Sequence, residues 1–254
     1  MSFAVAADAY QQFMGRFADP LAVRFADFVG VPAGATALDV GCGPGALTAV
    51  LVERLGVAAV SAVDPSPSFV DAARRRLPGV DVRQARAEDL PFDSGRFDVV
   101  LAQLVVHFMT DPVGGLREMG RVARAGGVLG AAVWDHGGGQ GPLAVFWSAV
   151  RELDPGAPDE SDLPGVREGH LAALAAEAGL LDVDAAAVTV EVAHESFEDW
   201  WGPFTLGVGP AGAYVRALDD AGRTALRERC RALLPAGLFS TRATAWAIRA
   251  RTPV

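Results

Sequence analysis

The chain has 254 residues, 51% of them hydrophobic and 21% charged, with a formal net charge of −9 at pH 7. That much apolar material buries a large core, and the acidic balance argues against a nucleic-acid partner, whose phosphates need a basic surface. Two cysteines make neither a disulfide framework nor a cysteine zinc site, and all 22 basic residues are arginine, which removes Schiff-base chemistry, a P-loop lysine and the Tyr/Lys pair of short-chain dehydrogenases.

The amino terminus shows no basic region followed by an apolar core, and no apolar run reaches the length of a membrane span. A soluble, reducing, cytoplasmic setting without membrane contact is expected. Residues 4–17 place Tyr10, Phe13, Met14 and Phe17 at helical spacing. Pro20 opens a second helix over 21–29, with Leu21, Phe25 and Phe28 as its apolar stripe.

A short apolar strand, 37–40, carries Asp39 and runs into Gly41, Gly43 and Gly45, after which helical spacing begins over 46–55. So tight a turn needs backbone angles closed to residues with a Cβ. It also lets main chain approach a ligand, whose anionic part meets free N–H groups at the helix start. Gly41, Gly43 and Ala46 satisfy the G-x-G-x-x-G/A dinucleotide fingerprint, and Asp64 lies near the acid expected ~20 residues downstream. At this point a dinucleotide and another adenosine cofactor both fit.

Asp64 ends a strand over 58–63, where an acid is placed to accept from ribose hydroxyls, and Ser66 or Ser68 caps the next helix, 69–77. Strands over 80–85 and 97–103 follow, and their ends make Ala87, Glu88, Gln103 and Leu104 candidates for lining a crevice. A helix over 113–122 leads to a fifth strand within 125–136 and a flexible loop over 137–142. This alternation indicates a parallel sheet built from βαβ units. Beyond it come helices over 143–153 and 170–178 around an acidic, Pro-rich connector, 154–164. A strand over 183–194, a helical stretch over 197–234 broken at 207–210, and a last strand over 243–250 complete the chain.

The blocks Leu-Asp-Val-Gly-Cys-Gly-Pro-Gly, Val-Asp-Pro-Ser, Ala-Glu-Asp-Leu-Pro-Phe, Phe-Asp-Val-Val and Arg-Ala-Gly-Gly-Val occur in this order between residues 38 and 128. Together they resemble the class I S-adenosylmethionine-dependent methyltransferases, of the small-molecule, type 11-like kind. The resemblance implies an α/β, Rossmann-like, doubly wound seven-stranded sheet, mostly parallel with an antiparallel last strand, plus a helical cap. It implies one domain over 1–254, with core 35–136 and 170–254 and a cap made of helices 4–30 and insertions 137–165 and 196–236.

The resemblance also implies S-adenosyl-L-methionine as cofactor and transfer of a methyl group to an O, N or C nucleophile of a small molecule. Asp39 and the backbone of Gly41, Cys42, Gly43 and Gly45 are then expected around the cofactor's amino-acid end. Asp64 is expected on the ribose, Pro65 and Ser66 beside the adenosine, Ala87 and Glu88 at adenine, and Gln103 beside the methionine portion. Arg86 departs from the family, where an aspartate commonly contacts adenine. Tyr10 and Arg16, on the leading helix, become contacts for the methionine end, Arg16 for its carboxylate.

Methyl transfer from a sulfonium is an in-line displacement, so a base is needed only where the nucleophile must lose a proton. His107, after the fourth strand, and His136, after the fifth, are the candidate bases, whereas His170 and His194 read as structural. No cluster shows metal-ligand spacing, so metal independence is expected. Phe146, Trp147, Trp200, Trp201, Phe204 and Tyr214 suggest an apolar or aromatic acceptor, and adjacent Trp200 and Trp201 suggest that one of them faces a pocket. An NAD-dependent oxidoreductase and a cofactor-binding protein or cyclase without methyl transfer are the alternatives.

Overall fold

The computed structural model describes residues 7–253. Its strands are β1 (Ala37–Val40), β2 (Val60–Asp64), β3 (Asp81–Gln84), β4 (Phe97–Gln103), β5 (Ala123–Trp134), β6 (Leu181–His194) and β7 (Phe239–Arg251). They form one sheet in the order β3-β2-β1-β4-β5-β7-β6, in which β7 runs antiparallel to both of its neighbours. Every residue of β1 and β2 is buried, as expected of parallel strands covered on both faces. The order reverses between β1 and β4, so the carboxyl ends of β1, β2 and β4 frame the crevice where such sheets bind ligands.

The helices are α1 (Ala7–Tyr10), α2 (Arg16–Val29), α3 (Ala46–Leu55), α4 (Pro67–Arg76), α5 (Pro112–Val122), α6 (Ala144–Leu153), α7 (His170–Glu177), α8 (Phe197–Trp201), α9 (Gly209–Ala217) and α10 (Asp220–Leu233). Leu21, Phe25, Leu47, Leu51, Val70 and Ala73 join α2, α3 and α4 to one face of the sheet. Leu116, Met119, Leu171 and Ala175 join α5 and α7 to the other.

Three expectations are corrected. The two leading helices are one helical run from Ala7 to Val29, in which a wide π turn, Gln11–Gly15, precedes α2 and Pro20 lies inside it. The proline's missing donor thus does not end the helix; residues 4–6 of the expected helix lie outside the described residues. The last strand begins at Phe239, because Phe239–Arg242 pair with Glu191–His194 of β6 although their own sequence alternates weakly. Finally, Trp200 and Trp201 are both buried, at 3% and 5% exposure. The helix carrying them is five residues long and covered on both sides, with Phe204 touching both rings.

Those tryptophans belong to a third apolar cluster, in which Phe146, Trp147, Phe204, Val215, Leu226 and Cys230 pack the two insertions on each other, with Phe13 reaching in from the leading run. Among the described residues, no helix is long and apolar enough to cross a membrane.

Candidate functional site

A cavity of about 630 Å³ opens at the carboxyl ends of β1, β2 and β4. The glycine turn forms one wall. Gly41, Gly43 and Gly45 all have left-handed backbones, with φ of 72°, 53° and 94°. A Cβ on Gly41 would stand 2.3 Å from Val105 Cγ2, whereas one on Gly43 would meet nothing within 4 Å.

The donors of this turn are already engaged. Gly41 and Cys42 N–H both donate to Val63 O, at 2.8 and 2.9 Å, Gly45 N–H to Cys42 O at 2.9 Å, and Gly43 N–H to Asp64 Oδ2 at 2.9 Å. An anionic group therefore does not find these four N–H groups free, because the turn's own tightness uses them; the donors expected to meet it, at the start of α3, come after them.

Asp64 also accepts from Ser66 N–H through Oδ1 at 2.8 Å. One lone pair on each oxygen is thus taken by backbone, leaving a second on each for a pair of hydroxyls. Burial pushes its carboxyl up to about 6, against the lowering by the Ser66 and Gly43 N–H groups. Asp39 is 1% exposed and is pushed up to about 7, chiefly by burial, although Thr48 Oγ1 donates to its Oδ2 at 2.6 Å.

Two acceptors at this cavity lack a partner among the described residues: Asp39 Oδ1 and Gln103 Oε1, both buried. Gln103 uses its Nε2–H on Ala18 O at 3.0 Å, which fixes the amide against α2. Leu104 follows with φ of 64°, a bulky residue in a region that favours glycine, and it lines the cavity beside Met109 and Phe69.

Tyr10, Pro65, Ser66, Ala87 and Glu88 also line the cavity. Tyr10 meets Phe69 edge-on at 5.2 Å, and burial holds its phenol well above the usual range. Glu88 Oε1 accepts from Thr110 N–H at 2.8 Å, and Arg86 donates to Thr110 Oγ1 at 2.7 Å, so both side chains brace the segment after β4. Leu163 and Pro164 close the cavity from the connector. The acidic composition of that segment carried no signal of this.

Three expected residues stand elsewhere. Arg16 makes two hydrogen bonds to the Asp199 carboxylate, at 3.0 and 2.8 Å, and one to Ala193 O, which fasten α2 to α8 and β6. It does not line the cavity, because the inward turn of the run at this point faces the insertion. Gly45 turns the chain into α3 behind the cavity wall. His136 lines a second, smaller chamber that shares Tyr10, Leu104, His107 and Phe108 with the first. The His107 and His136 rings lie 6.1 Å apart. Burial pushes His136 down to about 4 and His107 well below the usual imidazole range, so both stay neutral.

The order of the sheet, the glycine turn after β1 and the acid ending β2 define a doubly wound fold with its cavity at the switch point, where such sheets bind their ligands. Residues 38–131 match the family model described as a methyltransferase domain. An uncharacterized methyltransferase of Mycobacterium tuberculosis is 38% identical over 135 residues, 53% of this chain and 52% of that protein. The chain thus spans about half the length of the curated relative it matches. A geranyl diphosphate C-methyltransferase from Streptomyces coelicolor, solved with Mg²⁺, geranyl diphosphate and S-adenosyl-L-homocysteine, shares the fold at TM-score 0.53 and 18% identity, over 94% of this chain and 80% of that one. So does the [4+2]-cyclase SpnF, at TM-score 0.58 and 20% identity, over 93% and 81%. At such identities the likeness carries the fold alone. Residues 38–131 thus match a methyltransferase domain, and the chain shares the Rossmann-like fold of the solved methyltransferases.

Proposed function

We propose that the protein transfers a methyl group from S-adenosyl-L-methionine to a small, largely apolar acceptor. The observation that carries this is the pair of buried, unpartnered acceptors, Asp39 Oδ1 and Gln103 Oε1, on the cavity that Asp64 also lines. An ammonium group supplies the hydrogen bonds these oxygens lack, and vicinal hydroxyls suit the remaining lone pairs of Asp64. When bound, the cofactor supplies an electrophilic methyl on a sulfonium. Asp39 and Gln103 then hold the amino-acid end, Asp64 the ribose, and Leu104, Met109 and Phe69 keep water from the reacting centre.

An NAD-dependent oxidoreductase is the alternative reading, its pyrophosphate needing donors at the start of α3. Among the described residues, no three His, Cys, Asp or Glu side chains cluster to hold a metal ion, and the proposed transfer is metal-independent. Calorimetric titration of the full chain with S-adenosylhomocysteine and with NADH tests the reading. Saturation by the first alone is expected; saturation by NADH alone overturns it. The cyclase-like alternative is separated by product, since it binds the cofactor and methylates nothing in a broad acceptor panel.

A further inference from the structure

The smaller chamber has a volume of about 40 Å³. That is room for a small polar group, since a water molecule needs about 10–15 Å³ of such space. Its walls are apolar, built by Phe13, Met14, Trp134, Leu143, Val208 and Pro210. The ionisable side chains on it are Tyr10, His107, His136 and Glu160.

Glu160 comes from the connector and is 4% exposed. Its Oε2 accepts from Trp147 Nε1–H at 3.1 Å. His107 Nδ1 and Trp134 Nε1 are buried without partners among the described residues. The chamber therefore has unmatched hydrogen-bonding capacity inside an apolar shell, immediately beside the cavity assigned to the cofactor. Such capacity is costly unless a ligand completes it.

The imidazoles are weak bases here, because the burial that keeps them neutral also opposes their protonation. Glu160 is different: burial pushes its carboxyl up to about 7, despite the Trp147 hydrogen bond. A base is most effective when its affinity for a proton matches the working pH.

Resting on the methyltransferase reading, we propose that this chamber takes the hydroxyl of an uncharged phenolic acceptor and that Glu160 is the base that deprotonates it. The phenolic oxygen forms the bond to the methyl carbon, and the carbon–sulfur bond breaks with its electron pair remaining on sulfur. The phenolic proton passes to Glu160 Oε1. A phenol, with a pKa near ~10, is within reach of such a carboxylate, whereas an alkanol, close to water at ~16, is not.

The groups that face Glu160 are Asp159, itself paired with Arg151, then Trp147 on α6, and His107, His136 and Tyr10 around the chamber. None of the three chamber residues is a cation at neutral pH. The test uses the full chain, 2-naphthol as acceptor probe and S-adenosyl-L-methionine, with S-adenosylhomocysteine affinity measured on every preparation.

The wild type is expected to form the methyl ether, with kcat/KM rising to a plateau above about pH 7. Glu160→Gln should keep S-adenosylhomocysteine affinity, lose about 100-fold or more in kcat and flatten the pH profile. Ala211→Leu fills the chamber without touching the larger cavity, so it should raise KM for naphthol alone. A protein that binds S-adenosylhomocysteine and leaves 2-naphthol unmethylated overturns the inference, as does a Glu160→Gln variant with the wild-type profile. Failure of the wild type to bind S-adenosylhomocysteine overturns the methyltransferase reading itself, and so is told apart.

Discussion

The Gly43 N–H donates to Asp64 Oδ2 at 2.9 Å, so the acid that ends β2 holds the glycine turn that follows β1. Through its other oxygen the same carboxylate holds Ser66 N–H at the start of α4. One side chain thus sets the shape of two cavity walls.

Asp64→Asn replaces one acceptor oxygen by an amide NH₂ that faces a backbone N–H. The variant should lose about 1–3 kcal/mol of stability, together with most of its affinity for S-adenosylhomocysteine. Thermal unfolding and calorimetric titration of one preparation check both; unchanged affinity would remove Asp64 from the ribose.

On the proposed reading, Asp39 should set how cofactor affinity depends on pH. Its carboxyl, raised to about 7 by burial, must ionise to receive an ammonium group. Affinity for S-adenosylhomocysteine should therefore rise with pH and level off above 7, with about a tenfold loss by pH 6. Asp64, at about 6, adds to the loss only below that. Asp39's own contribution to ligand-free stability has the opposite sign, because the fold holds this proton more tightly than the unfolded chain. That contribution is complete at low pH and is lost as pH rises through 7. Asp39→Asn should flatten the affinity profile, and titrations at pH 6, 7 and 8 measure it.

Gly41 and Gly43 separate two kinds of damage. Gly41→Ala adds a Cβ 2.3 Å from Val105 Cγ2 on top of a left-handed backbone, and should destabilise by about 2–4 kcal/mol. Val105→Ala on that background should recover part of the loss, leaving the backbone term. Gly43→Ala has open space for its Cβ and should lose only about 1 kcal/mol, while weakening cofactor binding from inside the cavity. Denaturant unfolding of the three variants checks the order.

Arg16→Ala should leave S-adenosylhomocysteine affinity unchanged and lower the unfolding temperature by a few degrees. The ion pair with Asp199 is partly exposed, so about 1 kcal/mol is expected from it and its accompanying hydrogen bonds. A large loss of cofactor affinity would restore the carboxylate-binding role that the sequence alone suggested.

Much of the cavity is legible in the sequence, because its parts are local. Gly41, Gly43 and Asp64 sit in short strand-end motifs whose backbone demands are written in adjacent residues. Leu104 was legible for the same reason, as the residue after a strand end, although its left-handed backbone was not. Arg16 was misplaced because its partner, Asp199, lies 183 positions away, and no local pattern reports on such a pairing. Trp200 and Trp201 misled in another way: helical periodicity assumes one exposed face, and a five-residue helix under other helices has none.

By itself, the order of amino acids determined the strand and helix alternation, the glycine turn and the acids at the strand ends, since each follows from the chemistry of a few consecutive residues. Only the tertiary structure decided which hydrogen-bonding groups remain open. The turn's N–H groups are taken by Val63, Cys42 and Asp64, whereas Asp39 and Gln103 keep oxygens without partners among the described residues. Whether a buried polar atom is satisfied depends on segments brought together from far apart. It is that balance, rather than the motif, on which the proposed ammonium site rests.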